Sequence, residues 1–342
     1  MQSYDVIIAG AGPSGIRCAE ILGAKGLQVL LLEKKSEAGE KVCAGGITRK
    51  GFELMKIPDA IIERKVVEVG LHSPRLSNVK KLPAPIMYTV DRRKFAAWQL
   101  ERLKGKGVEY RTQAAVTAVN RTSVIVNSDE EIGFRFLVGA DGPNSFVRRH
   151  LALPAEKVLA TVQYLIPAEN IPPRMDIFLN AKYFHSWYAW SFPHNDHYAV
   201  GACCDPAHLS GKALRQNFNT WLREKGYETG DAKYQSYPIS YDYRGLQFGN
   251  IFLAGEAAGL ASGLTGEGIY QSLVSGEEVA HRILNEPDPK GAFRFIKKYN
   301  DIQHRFLRFS IGIGPGRYVL ADLLILAMRN GWVNRKISGG FS

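Results

Sequence analysis

Apolar residues open the chain in short unbroken blocks. Residues 6–9 form one, and a second, Val29–Leu32, follows Gln28 in a strand expected at 28–32 that closes on Glu33. Blocks of this length read as strands covered on both faces, as in a parallel sheet. Between them, residues 16–25 carry a helical pattern that Gly26 stops. The opening is therefore a βαβ unit. Residues 95–106 read as a helix with Leu100 and Leu103 on its apolar side, and short strands are expected at 108–111, 116–120, 123–126 and 134–138. Further strands at 158–166, 175–179, 186–192 and 198–202 predict an antiparallel sheet. After Asn250 the pattern returns to a strand at 251–254, a glycine-rich turn and a long helix at 268–284. No internal repeat stands out.

Composition narrows the class. The 342 residues are 45% hydrophobic and 23% charged, which excludes global disorder and collagen-like repeats. At ~100–200 residues per domain, about two domains are expected. The longest apolar stretch, 318–328, is interrupted by Asp322 and falls short of the ~20 residues of a spanning helix. Residues 1–8 show no basic region leading into an apolar core, so a cytoplasmic location is expected. Cys18, Cys43, Cys203 and Cys204 make neither a disulfide scaffold nor a CxxC pair. No Cys/His grouping has zinc-ligand spacing, and no metal is expected.

The charge is uneven. Of a net +11, the segment 290–342 holds ten Lys/Arg against two acids, Asp301 and Asp322, interleaved with Phe293, Phe295, Phe306 and Phe309. Such a basic, amphipathic, aromatic-bearing region suits an anionic membrane surface or lipid head group. It equally suits a solvated basic helix packed by its apolar face. No nucleic-acid motif accompanies the charge, and nucleic acid is not an expected partner.

Three glycine motifs carry the chemistry. Gly10, Gly12 and Gly15, with Pro13 and Ser14 between them, form GxGxxG where the first strand meets the first helix. The first glycine permits the tight turn, the second lets the backbone approach a pyrophosphate, and the third lets helix pack on strand. The helix N-terminus then faces the negative charge. Glu33, ending the second strand, can accept hydrogen bonds from an adenosine ribose and would repel a 2′-phosphate. This motif alone does not separate FAD from NAD. The second motif runs from Phe136 through Asp141, Gly142 and Ser145 to Arg148. The third runs from Asn250 through Gly255, Glu256, Gly259, Gly266 and Gly268 to Ile269, a strand ending on a carboxylate before a turn and a helix. That order places an acceptor beside ribityl hydroxyls and a helix N-terminus near the far end of a flavin.

Together the three motifs resemble the FAD-dependent oxidoreductases of the p-hydroxybenzoate hydroxylase fold. Lys41-Val-Cys43-Ala44-Gly45-Gly46 resembles the K-x-C-x-G-G loop of the geranylgeranyl reductase family. Tyr188-Ala-Trp190-Ser-Phe192-Pro193, with Gly201 eight residues after the proline, is similar to that family's Y-x-W-x-F-P-x7-G signature. Val90-Asp91-Arg92 with Phe95 resembles its arginine-bearing segment near the flavin. The resemblance implies FAD contacts at Gly10, Gly12, Pro13, Ser14, Gly15, Glu33, Lys34, Cys43, Ala44, Gly45, Arg92, Ala115, Asp141, Gly142, Gly255, Glu256, Gly266, Gly268 and Ile269. It implies substrate contacts at Gly46, Tyr188, Trp190 and Phe192, with Cys43, Tyr188 and Trp190 as catalytic candidates. There are departures. The family usually has aspartate where Glu256 stands, and this chain is short for the family.

The implied fold class is α/β, α+β overall. A Rossmann-like FAD-binding domain with a parallel sheet (1–70, 91–155 and 240–289) is interleaved with an antiparallel-sheet substrate domain (71–90 and 156–239). A C-terminal basic amphipathic helical region (290–342) follows. The implied activity is reduction of isolated double bonds in a prenyl chain carried on a lipid, diphosphate or quinone. Hydride passes from flavin N5 to one alkene carbon and a proton goes to the other. A dry apolar tunnel would protect the reduced flavin from water. Tyr188, Trp190 and Phe192 alternate, so on a strand they share a face. They either line such a tunnel, stabilising electron-poor carbon through their π faces, or form an ordinary aromatic core.

Cys43, in a glycine-rich loop, is a candidate proton donor or shape element; free thiols, with a pKa of ~8.5, carry a proton at neutral pH. Cys18, Cys203 and Cys204 read as packing. His194 and His197, in a polar turn after Pro193, are expected at the surface. Gly312, Gly314 and Gly316 around Pro315 mark a helix break, not a second nucleotide fingerprint. The external reductant is NAD(P)H or a ferredoxin-like protein. Competing readings are a flavin monooxygenase, a flavin-dependent halogenase and a non-catalytic prenyl-binding flavoprotein, since this fold hosts several chemistries.

Overall fold

The computed structural model describes residues 1–287 and 291–329. Of the basic C-terminal residues, Lys290, Arg335 and Lys336 lie outside that range. Contacts divide the chain into two units. One comprises Met1–Lys41, Arg92–Val158 and Ile239–Asp301; the other comprises Val42–Asp91, Leu159–Pro238 and the residues from Ile302 onward.

The first unit is built on an eight-stranded sheet. Strand β1 (Ser3–Ala9) lies between β2 (Val29–Leu32) and the long strand Glu130–Gly139, parallel to both. Val108–Arg111 and Ile251–Leu253 extend the parallel core on either side. All four residues of β2 are buried, which is why its sequence is continuously apolar and not alternating. The strand expected at 134–138 is longer because its first half pairs with Ser123–Val126 and its second half with β1. Helix α1 (Pro13–Ala24) ends where Gly26 takes φ +85°. It packs closely on helix Ile269–Ile283, where a Cβ on Gly276 would lie 2.3 Å from the Ser14 carbonyl oxygen. The helix expected at 95–106 spans Arg92–Glu101 instead. Residues beyond it form turns through Gly105 and Gly107, both at positive φ.

The second unit holds a seven-stranded sheet and a three-stranded one. In the larger, Val158–Pro167, His197–Cys204, Ala189–Pro193 and Arg174–Phe178 follow one another antiparallel. Helix Gly211–Glu224 buries Leu214, Phe218, Trp221 and Leu222, a single apolar face at helical spacing. The smaller sheet places Met87–Val90 between Gly46–Thr48 and Ile62–Val66. That pairing draws residues 42–70 into this unit, whereas the sequence reading grouped them with the nucleotide-binding elements. The strand expected at 186–192 begins only at Ala189. Ala181–Phe184 is a short helix capped by Asn180, and His185 turns the chain at φ +54°. Tyr188 therefore precedes the strand, while Trp190 and Phe192 keep the alternation within it.

The C-terminal segment is helical through Arg329, as Ala292–Gly312 and Arg317–Arg329. The chain breaks between them at Gly314, φ +54°, and a short turn of 3-10 helix. Asp322, the charge inside the apolar stretch, is buried and accepts from Ser73 Oγ at 2.5 Å and pairs with Arg75. No single helix among the described residues is long and apolar enough to cross a membrane.

Candidate active site

The three glycine motifs converge in the first unit. Gly10 adopts φ +105°, and a Cβ there would lie 2.4 Å from the Ala140 carbonyl oxygen, at the doorstep of Asp141. A Cβ on Gly15 would strike the Gly10 carbonyl at 2.0 Å. Gly12, by contrast, caps α1 with nothing nearer than 4.0 Å to its missing Cβ, and Pro13 occupies the first turn. Of the motif's glycines, the middle one thus has room above its backbone. Glu33 is held by the backbone N–H groups of Ala11 and Lys35, each at 3.0 Å. Lys34 beside it is exposed. The Ala115 N–H donates to Asn127 Oδ1 and the Ala115 carbonyl accepts from the Asn127 backbone N–H, each at 2.9 Å.

Asp141 Oδ2 accepts from the backbone N–H of Phe146 at 2.6 Å, while Gly142 turns at φ +81°. Burial pushes the Asp141 carboxyl up, against the pull of Ser145 and the backbone of Phe146 and Val147. Arg148, almost fully buried, ties this motif to the third by donating to the carbonyls of Ala257 and Asp242. In the third motif Gly255, at φ +60°, faces Ser14 Oγ, and Gly266 turns at φ +63°. Glu256 Oε1 pairs with Lys41 Nζ at 2.5 Å and lies 3.5 Å from where a Gly268 Cβ would be. Gly268 caps the helix that Ile269 begins, with no side-chain cap. Sequence reasoning missed the Lys41–Glu256 pair; 215 positions separate the two residues.

These residues fit an FAD molecule by their own chemistry. Asp141 Oδ1, Glu256 Oε2 and Arg92 Nε are buried and have no hydrogen-bond partner among the described residues. Buried polar atoms normally find partners, so each calls for a polar ligand. Two helices, beginning at Pro13 and Ile269, offer uncapped N-termini in the same unit.

The second constellation lies in the second unit. Each carbonyl of Cys43, Ala44 and Gly45 is engaged by a different donor. Gln163 Nε2 donates to Cys43 O at 3.3 Å and the Val90 N–H donates to Gly45 O at 3.1 Å, while His194 Nε2 lies 3.0 Å from Ala44 O. Cys43 Sγ accepts from the Gly45 N–H at 3.4 Å. Gly45 adopts φ +73°, and a Cβ would lie 2.7 Å from both His194 Cε1 and Val90 O. His194 corrects the sequence expectation of a surface histidine. It is 4% exposed, its Nδ1 is 2.5 Å from Glu63 Oε2, and its ring stacks on His197 at 4.4 Å. The polar run around it hid this, because Glu63 lies 131 positions away.

The aromatic strand meets the same loop. Phe192 packs where a Gly46 Cβ would be, at 3.0 Å, and Trp190 packs where a Gly201 Cβ would be, at 2.3 Å. Tyr188 is half-buried and meets Trp190 edge-on, centroids 6.0 Å apart. The other cysteines are sealed thiols. Burial raises all three, Cys203 to about 12. Among the described residues no cluster of three His, Cys, Asp or Glu could hold a metal.

Comparison with known proteins decides the family. The family model described as an FAD binding domain matches residues 3–187. The chain belongs to the FAD-binding-domain family. Within it, the chain is 29% identical over 306 residues to the digeranylgeranylglycerophospholipid reductase of Methanocella arvoryzae, covering 83% of this chain and 78% of that protein. A geranylgeranyl bacteriochlorophyll reductase-like protein of Thermoplasma acidophilum matches with TM-score 0.74 at 21% identity, over 95% of this chain and 88% of that one. The flavin-dependent brominase Bmp2 matches with TM-score 0.73 at 18% identity, over 99% and 93%. Structural likeness at these identities establishes the fold alone, and one fold can host different chemistries.

Proposed function

We propose that this FAD-binding-domain protein reduces isolated carbon–carbon double bonds in a prenyl chain. The observation that carries the reading is the interlock of two motifs more than 140 positions apart in sequence. Phe192 and His194 of the Tyr188–Gly201 signature, together with Met87 and Val90, close on the space left by the glycines of the Cys43–Gly46 loop. The two motifs pack against each other, and together they favour the reductase reading over the hydroxylase and halogenase ones. The name of the Methanocella arvoryzae relative, a digeranylgeranylglycerophospholipid reductase, supports the same substrate class.

Gly10–Gly15, Glu33, Asp141 and Glu256 would hold FAD, which, once reduced by NAD(P)H or a ferredoxin-like protein, would supply the hydride. The protein's part is to hold an apolar chain and deliver a proton. Trp190 and Phe192 offer apolar area with fixed rotamers, since their rings rest on Gly201 and Gly46. Cys43, half-buried in a loop pinned at three carbonyls, is the group assigned to protonate the second alkene carbon.

The test is product mass. The flavin-loaded protein, reduced anaerobically with dithionite, is given geranylgeranyl diphosphate and prenylated lipids. A gain of two hydrogens per double bond is expected, with Cys43→Ser slowed at least tenfold. Oxygenated product in aerobic turnover with NAD(P)H would overturn the reading in favour of a monooxygenase. Full turnover by Cys43→Ser would remove the thiol from the proton path and leave the reductase standing.

A further inference from the structure

We propose that the helix Ala292–Gly312 docks the protein on an anionic lipid bilayer through an exposed ridge of apolar and basic side chains. The helix has two faces. One buries Phe293, Ile296, Gln303 and Leu307. On another, Phe295, Ile302 and Phe309 stand 45%, 56% and 56% exposed. They are spaced seven residues apart, which returns each to within ~20° of the last on an α-helix. Large apolar side chains exposed in a line are unusual on a soluble surface.

Positive charge borders this line. Lys298 and Arg305, one turn along from Phe295 and Ile302, are exposed on its flank, with Arg294 beside them. Asp301 is the helix's single acid. The following helix, Arg317–Arg329, repeats the apolar exposure in its own frame, with basic residues only at its two ends. Val319, Leu323 and Leu326 are exposed at i, i+4 and i+7, while Ala321 and Ile325 are buried and Asp322, on the flank between, is tied to Ser73 and Arg75.

Charge decides the occupant. A second copy would set Arg294, Lys298 and Arg305 against their own kind. A soluble polyanion would satisfy those cations and leave Phe295, Ile302 and Phe309 in water. The interface of an anionic bilayer accepts both at once, cations at the head groups and apolar side chains at the acyl boundary. The proposal concerns how the protein is positioned and stands apart from the reaction it performs.

The test is co-sedimentation of the full flavin-loaded chain with vesicles of phosphatidylcholine alone, or phosphatidylcholine mixed with phosphatidylglycerol. Binding is expected to the mixed vesicles, weakened by salt. Phe295→Ser with Ile302→Ser and Phe309→Ser should abolish it. Lys298→Gln with Arg305→Gln should weaken it by about fivefold per charge removed. Flavin content and circular dichroism check that each variant is folded; should the triple variant misfold, the charge pair and Phe309→Ser alone carry the test. Equal binding to both lipids, binding to neither, or wild-type binding by the variants would overturn the proposal. So would a dimer in light scattering that Phe309→Ser turns to monomer, which would make the ridge an interface between copies.

Discussion

The indole of Trp190 lies over Gly201, its partner across the sheet, where a Cβ would come within 2.3 Å of the ring and 2.6 Å of the Val162 carbonyl oxygen. The glycine eight residues after Pro193 is thus a packing requirement of the tryptophan. Gly201→Ala should destabilise the protein by about 2 kcal/mol, an overpacking cost. Trp190→Leu in the same chain should recover part of that loss, giving a coupling of about 1 kcal/mol in a double-mutant cycle. Urea denaturation measures both. Strict additivity would mean that the sheet relaxes around alanine without moving the indole.

Lys41 and Glu256 form the second pair to test. Glu256 Oε1 is spoken for by Lys41, while Oε2 is buried without a partner among the described residues. Glu256→Gln should weaken FAD binding by roughly tenfold or more, the scale of a hydrogen bond to a charged group. Glu256→Asp, which keeps the charge, should lie between the two. Fluorescence titration of the apoprotein with FAD reads the effect. Unchanged affinity in Glu256→Gln would assign the carboxylate to Lys41 alone.

His194 is expected to act as a positioning residue for the Cys43 loop. Its ring touches Ala44 O on one side and Glu63 on the other. Replacement by leucine removes the donor to Ala44 and strands the Glu63 carboxylate, 13% exposed, beside an apolar group. His194→Leu should lose about 2 kcal/mol of stability and most of the turnover proposed above. His194→Gln, whose amide can still donate to Ala44, should retain more turnover at similar KM. Equal turnover in the two variants would show that the loop holds itself.

His185 sets a pH dependence. Burial, Arg317 and His208 hold its imidazole down to about 4. A histidine in the unfolded chain titrates near ~6.5. The folded value is therefore the lower one. Its contribution to stability is complete above pH ~6.5 and is lost as pH falls toward about 4. The side chain is partly exposed, so solvent screening reduces the loss to about 1 kcal/mol. Thermal unfolding at pH 7 and pH 4.5 should show it, and His185→Asn should flatten the difference. A slope unchanged in His185→Asn would assign it to other groups.

What the sequence determined by itself was local. Continuous apolar blocks marked strands buried on both faces, and Gly10, Gly15, Gly142 and Gly255 stand where the backbone turns tightly or passes close to itself. Such features depend on a residue and its near neighbours, so they are legible in one dimension. The break after Gly312 and the glycine stop at Gly26 belong to the same class. The tertiary structure decided the rest. Residues 42–70 belong with the second unit because Gly46–Thr48 and Ile62–Val66 pair on either side of Met87–Val90. Glu256 meets Lys41, His194 meets Glu63, and Asp322 is buried against Ser73 only because the fold brings them together across 131 to 249 positions. A polar side chain in sequence carries no mark of burial. Whether it faces water or a partner is set by desolvation, and desolvation exists only once distant segments have packed.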